Sequence, residues 1–130
     1  QPTVKEDKID PVELARKSFE EGYDYLMEES FSEALPLLAR AVHLQPDNAL
    51  YHAFYGKLLS EDEESRYKAE AELQHAIKLD SSKPEYRLFL AKFYLKYNLQ
   101  KRAEGELQRL LAKFSDHSEA LALLDSLTNK

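Results

Sequence analysis

The stretch EALPLLARAVHLQPDNA, Glu33 to Ala49, decides the fold, because its pattern returns twice more along the chain. Ala34, Leu38 and Ala41 are followed 35 residues later by Ala69, Leu73 and Ala76, and a further 34 residues on by Ala103, Leu107 and Leu110. Upstream of each set stands a small residue, Gly22, Gly56 or Ala91, with Tyr25, Leu59 or Tyr94 three residues after it. Several positions recurring together at one offset mark an internal repeat, and a repeat of this length is built from one supersecondary unit that stacks on its neighbours.

The spacing locates the turns. Gly22 to Ala34 and Ala91 to Ala103 are both 12 residues, whereas Gly56 to Ala69 is 13. The extra residue falls in the polar run Ser60-Glu61-Asp62-Glu63-Glu64-Ser65, where an insertion is tolerated between helices. Each repeat divides into two helical halves, and the periodicity predicts helices at about 11–28, 31–44, 48–60, 66–79, 84–97, 100–113 and 117–128. Asp10-x-x-Glu13, Ser30-x-x-Glu33, Ser82-x-x-Glu85 and Asp116-x-x-Glu119 read as capping boxes. Short connections make neighbouring helices antiparallel. Pro36 lies inside the second helix, where a proline removes one hydrogen bond; with Leu35, Leu38 and Ala41 in packing roles its ring should face outward, bending the helix slightly near Ser32–Pro36 without breaking it. Ala71 and Gly105 hold the corresponding position in the other repeats.

Composition narrows the possible functions. The chain has 130 residues, 43% apolar and 32% charged, with only three glycines, which favours one all-helical domain. Cysteine is absent, so disulfides and thiolate metal sites are excluded. No run is apolar enough to cross a membrane and no secretory leader is recognisable, which suits a cytoplasmic protein. The start at Gln1 fits a processed or excised piece of a longer chain, with residues 1–10 as linker or tail and 11–130 as the domain. The net charge of −6 argues against nucleic acid as the main partner. That charge is uneven: residues 1–82 hold 9 basic and 18 acidic side chains, while residues 83–116 hold 8 basic and 4 acidic. Lys101-Arg102 opens a helix, the end where cations are disfavoured, which leaves a partner contact or a neutral surface position as its explanation.

Taken together, the repeat positions resemble the tetratricopeptide repeat family. Repeat one matches with Gly22, Tyr25, Phe31, Ala34, Leu38, Ala41 and Pro46; repeat two with Tyr55, Gly56, Leu59, Ala69, Leu73 and Ala76; repeat three with Leu90, Ala91, Tyr94, Ala103 and Leu107. Repeat three departs at Leu110, where the family has a small residue, and at Ser115, where it has proline. The resemblance implies a right-handed α-solenoid with repeats at about 15–48, 49–83 and 84–116, closed by a capping helix at 117–128. It also implies that first helices line a concave groove, drawing on Arg16, Phe19, Tyr23, Leu26, Leu50, Ala53, Phe54, Lys57, Leu88, Phe89, Lys92 and Lys96. Phe19, Phe54 and Phe89 are spaced by 35 and so correspond; they either pack between repeats or stand open in the groove. Some relatives grip the acidic C-terminus of heat-shock chaperones through Lys, Asn and Arg. The matching positions here are Phe19, Tyr23, Phe54, Glu85 and Phe89, which excludes that activity.

Catalytic chemistry has no foothold in the sequence. His43, His52, His75 and His117 are scattered without ligand spacing, there is no phosphate loop or nucleophile motif, and Glu61–Glu64 lacks the glycine and alternation of a calcium loop. The reading is therefore a non-catalytic module, without cofactor or metal, that binds a peptide or helix of a protein partner. The alternative is a structural or self-associating module of a larger multidomain protein, such as a bacterial chaperone-like or signalling protein.

Overall fold

The computed structural model of the chain describes residues 9–129. Among these, seven α-helices follow one another: α1 (Pro11–Met27), α2 (Phe31–Leu44), α3 (Ala49–Leu59), α4 (Arg66–Leu79), α5 (Pro84–Lys96), α6 (Gln100–Lys113) and α7 (Ser118–Thr128). The closest packing is within the pairs α1–α2, α3–α4 and α5–α6; α7 packs on α6. First helices thus form one layer and second helices the other.

The repeat positions seal each pair. An added Cβ on Gly22 would lie 2.9 Å from Leu38 Cδ2, and one on Gly56 would lie 2.9 Å from Leu73 Cγ. Leu38, Leu73 and Leu107 are all fully buried. Each contributes about 2 kcal/mol by leaving water. That exceeds the roughly 1 kcal/mol of a helix cap, and it explains why imperfect caps are tolerated. None of the four expected capping boxes forms with both of its bonds. Ser30, at the start of α2, makes no side-chain cap; its backbone N–H instead donates to Tyr25 O at 2.9 Å. Ser82 is drawn to Asp80, leaving Lys83 as an unassisted cap for α5. His117, not Asp116, caps α7 by accepting from the Ala120 N–H. Asp10 does cap α1, so it belongs to the domain; the rest of the expected 1–10 tail, before Ile9, lies outside the described residues. Asn48 caps α3.

The two tight turns and the wide one follow the spacing. Glu29 and Asn98 take left-handed backbone conformations, with φ of 59° and 62°. They close the turns of repeats one and three with matching bonds, Ser30 N to Tyr25 O and Leu99 N to Tyr94 O. The extra residue of repeat two replaces this with a wider turn ending in a 3₁₀ segment, Glu63–Ser65. Helix α2 runs unbroken through Pro36; Pro36 and Ser32, whose carbonyl lacks the usual N–H partner there, are both exposed residues.

Polar ties join one repeat to the next. The Tyr94 hydroxyl donates to Glu70 at 2.7 Å, across from α5 to α4. His52 reaches back to the Pro46 carbonyl of repeat one at 2.6 Å, and within its own repeat it lies 2.5 Å from the Glu72 carboxylate. Where repeat three departs from the pattern, the structure compensates. Ala41 packs with Tyr51, and Ala76 with Tyr86. At the last junction the sizes are exchanged: Leu110 packs with Ala120.

Gly56→Val should cost about 1–3 kcal/mol by overpacking, whereas Gly105→Ala should gain about 0.5–1 kcal/mol, because the only near neighbour of an added Cβ is the far end of the exposed Arg109 side chain; urea unfolding of both variants checks this. Leu110→Ala should lose about 2–4 kcal/mol, and adding Ala120→Tyr should recover part of that loss in a double-mutant cycle. Burial and then the Glu70 bond raise the Tyr94 pKa from 10.0 to about 12. A raised phenol pKa means a stabilising contribution that is complete below pH 10 and is lost as pH rises toward 12. Burial also raises the Tyr51 and Tyr86 phenols above their ordinary value, so ultraviolet titration should show several late-ionising tyrosines, and Tyr94→Phe should remove the one that ionises near pH 12.

Candidate partner-binding groove

The first helices α1, α3 and α5 together carry an aromatic ladder, with Phe19 and Tyr23 on α1, Tyr51 and Phe54 on α3, and Phe89 on α5. Phe19 stacks on Tyr51 at 4.8 Å between centroids and meets Phe54 edge-on at 5.9 Å. Tyr23 meets the same Phe54 ring at 5.3 Å, and Phe54 meets Phe89 at 5.2 Å. All four of Phe19, Tyr23, Phe54 and Phe89 are half-buried. Phe19, Tyr23, Phe54 and Phe89 are thus linked by ring contacts across adjacent repeats while each remains partly exposed to solvent. The Lys57 ammonium rests 4.8 Å over the Phe89 ring.

The cations of this face are already engaged. Lys92 pairs with Glu119 at 2.5 Å and Lys96 with Glu61 at 3.1 Å. Arg16 is held between Glu13 and Glu20, the latter at 2.8 Å. That arrangement raises the Arg16 pKa and lowers that of Glu13, in both cases chiefly through their mutual hydrogen bond. The face is thus apolar and aromatic with neutralised charge.

Three of the expected groove residues, Leu26, Ala53 and Leu88, lie behind the surface. Leu88 is only 5% exposed and packs toward Leu107 and Leu110, because it occupies the position of Ser18 and Ala53, both buried as well. Leu26 is equally buried but forms the back wall of a hollow of about 280 Å³ at the turn end of the first helices. Met27, Phe31 and Glu61 also line this hollow. Sequence reading passed over exposed Met27, whose only signal was an apolar residue outside the repeat positions. Leu50 stands exposed at the start of α3. Among the described residues no group of three or more His, Asp or Glu side chains could hold a metal ion, and no helix is long and apolar enough to cross a membrane.

No protein-family model matches the chain, and no curated protein matches it. Solved structures do. The Arabidopsis OM64 TPR domain is 17% identical, with a TM-score of 0.83 over 92% of this chain and 98% of that one. The second TPR domain of human RPAP3, in complex with the HSP70 peptide SGPTIEEVD, is 18% identical, with a TM-score of 0.81 over 93% and 100%. TTC0263, a TPR protein of Thermus thermophilus, is 25% identical, with a TM-score of 0.70 over 79% of this chain and 52% of that one. The chain has the fold of tetratricopeptide-repeat domains: a right-handed α-solenoid of three helix pairs closed by a capping helix.

Proposed function

We propose that the chain is a non-catalytic protein-interaction module that holds an apolar segment of a partner, helical or extended, against Tyr23, Phe54 and Phe89. The observation that carries this reading is the aromatic ladder, half open along three consecutive first helices. Half-buried aromatics are rigid, so a partner side chain can bury against them at little cost in side-chain entropy. Similarly folded domains engage peptides: the first TPR of Spaghetti (RPAP3) is bound to the HSP90 peptide SRMEEVD. The chemistry of this groove points to a different ligand. Its lysines are paired with glutamates or seated on an aromatic ring, and exposed Glu85 occupies a position where those relatives that grip acidic tails carry a polar or basic residue. The partner segment is therefore apolar at its anchor rather than an acidic terminus. Neither nucleic acid nor a membrane surface is part of this reading, given the net charge of −6.

A second reading, self-association, is favoured by one observation: the acidic first two repeats and the basic third give a head and a tail of opposite sign. Light scattering across a concentration series separates the two, since a strict monomer removes self-association.

Tyr23→Ala combined with Lys92→Glu should weaken partner capture by about tenfold or more while the helical circular dichroism signal persists. Partner binding unchanged in that variant rules the groove out.

A further inference from the structure

On the opposite layer, α4 and α6 hardly touch, and the gap between them is a hollow of about 590 Å³. It adjoins a second hollow of about 200 Å³ through the shared Arg109. Six cations and two carboxylates line the pair. The carboxylates are saturated by their own neighbours. Glu106 accepts from Arg87 and from Arg109, each at 2.8 Å. Glu70 accepts from Tyr94 and lies 3.6 Å from Arg102. These contacts orient the guanidinium groups and leave the cleft with an excess of positive charge. Lys101, Arg102 and Arg109 are all exposed, and Lys101 has no acidic partner among the described residues.

The floor of the hollow carries the decisive residue. Gly105 lies in mid-helix, where glycine is unfavourable relative to alanine. Unlike Gly22 and Gly56, it is not required by packing: an added Cβ would meet only Arg109 Nη1, at 3.3 Å. Its lack of a side chain does one visible thing, which is to keep the hollow deep. Lys101 and Arg102 likewise sit in the first turn of α6, the end where cations are disfavoured and where no side chain caps the helix. Three locally unfavourable choices meet at one cleft.

We propose that the α4–α6 cleft is a second binding site, for an extended acidic segment of a protein partner. The basic row from Lys101 to Lys113 spans about 18 Å at 1.5 Å per residue, which matches about six extended residues. This site is independent of the aromatic groove and stands or falls separately from it.

The test is fluorescence anisotropy with a labelled hexaglutamate peptide, and hexaglutamine as control. Hexaglutamate should bind saturably and hexaglutamine should not. Affinity should fall about tenfold from 50 to 200 mM salt, as expected for a few released ions. Gly105→Val fills the floor without changing charge and should weaken binding about fivefold or more. Lys101→Gln with Arg109→Gln should do the same, while Tyr23→Ala with Lys92→Glu should leave it unchanged. Circular dichroism confirms that each variant is folded, and Lys101→Gln alone, an exposed change with no contact to lose, should still weaken binding by about twofold. The proposal is overturned if hexaglutamate does not saturate, if Gly105→Val binds it normally, or if a single-stranded oligonucleotide of equal charge binds more tightly and ignores the Gly105 change, which would mark a nonspecific polyanion surface.

Discussion

Each helix pair depends on one steric fit, in which a leucine of the second helix sits where the first helix has little or no side chain. Leu38 against Gly22 and Leu73 against Gly56 leave less room than a single methyl group requires. Leu107 and Ala91 share one buried cluster in the third pair. Close approach at these points fixes how the two helices of a unit face each other. Only then can the outer side of each first helix line up with the next to form an aromatic ladder, and the second helices stand apart with a cleft between them. A glycine that satisfies this fit and one that does not are chemically identical; Gly105 is distinguished only by having nothing but the far end of an arginine side chain near its missing Cβ.

Helix positions were legible in the sequence because they rest on periodicity, which many residues encode together. The seven expected helices agree with the structure to within a residue or so, and the extra residue of repeat two lies in the turn where counting placed it. The caps were much less legible. A capping box needs one serine to choose one backbone N–H, and a nearby competitor decides the outcome: Asp80 captures Ser82, and the left-handed turn at Glu29 sends the Ser30 N–H to Tyr25. Such contests are settled by a few tenths of an ångström, which a pattern does not contain.

The groove was partly legible for a related reason. Its aromatic rungs repeat at a spacing of 35, so they could be found together. Leu88, Ala53 and Leu26 were misplaced toward the surface because adjacent positions on a helix differ by about a hundred degrees, and a small error in facing exchanges wall for interior. The α4–α6 cleft has no periodic signature at all. It arises from a gap between two helices, and its residues come from three elements. What the sequence did carry was an anomaly: two cations at the start of a helix without a stated purpose.

The division of charge between the two layers follows from these placements. On the first-helix side every lysine near the ladder is matched by a glutamate or an aromatic ring, so long-range attraction is cancelled and recognition there depends on shape and apolar contact. On the second-helix side the carboxylates are used to hold arginines in place, so positive charge remains directed outward. The basic excess of residues 83–116 is thus not spread evenly over the third repeat. Its groove-facing lysines are neutralised, while its second helix keeps the surplus. The cap sharpens this separation. Because Ala120 yields to Leu110 at the last junction, α7 lies over α6 with Glu119 within reach of Lys92. A size exchange in the core therefore decides the electrostatics of the groove: a tyrosine at position 120 beside Leu110 would hold α7 off, release Lys92, and give the aromatic face the charge that it now lacks.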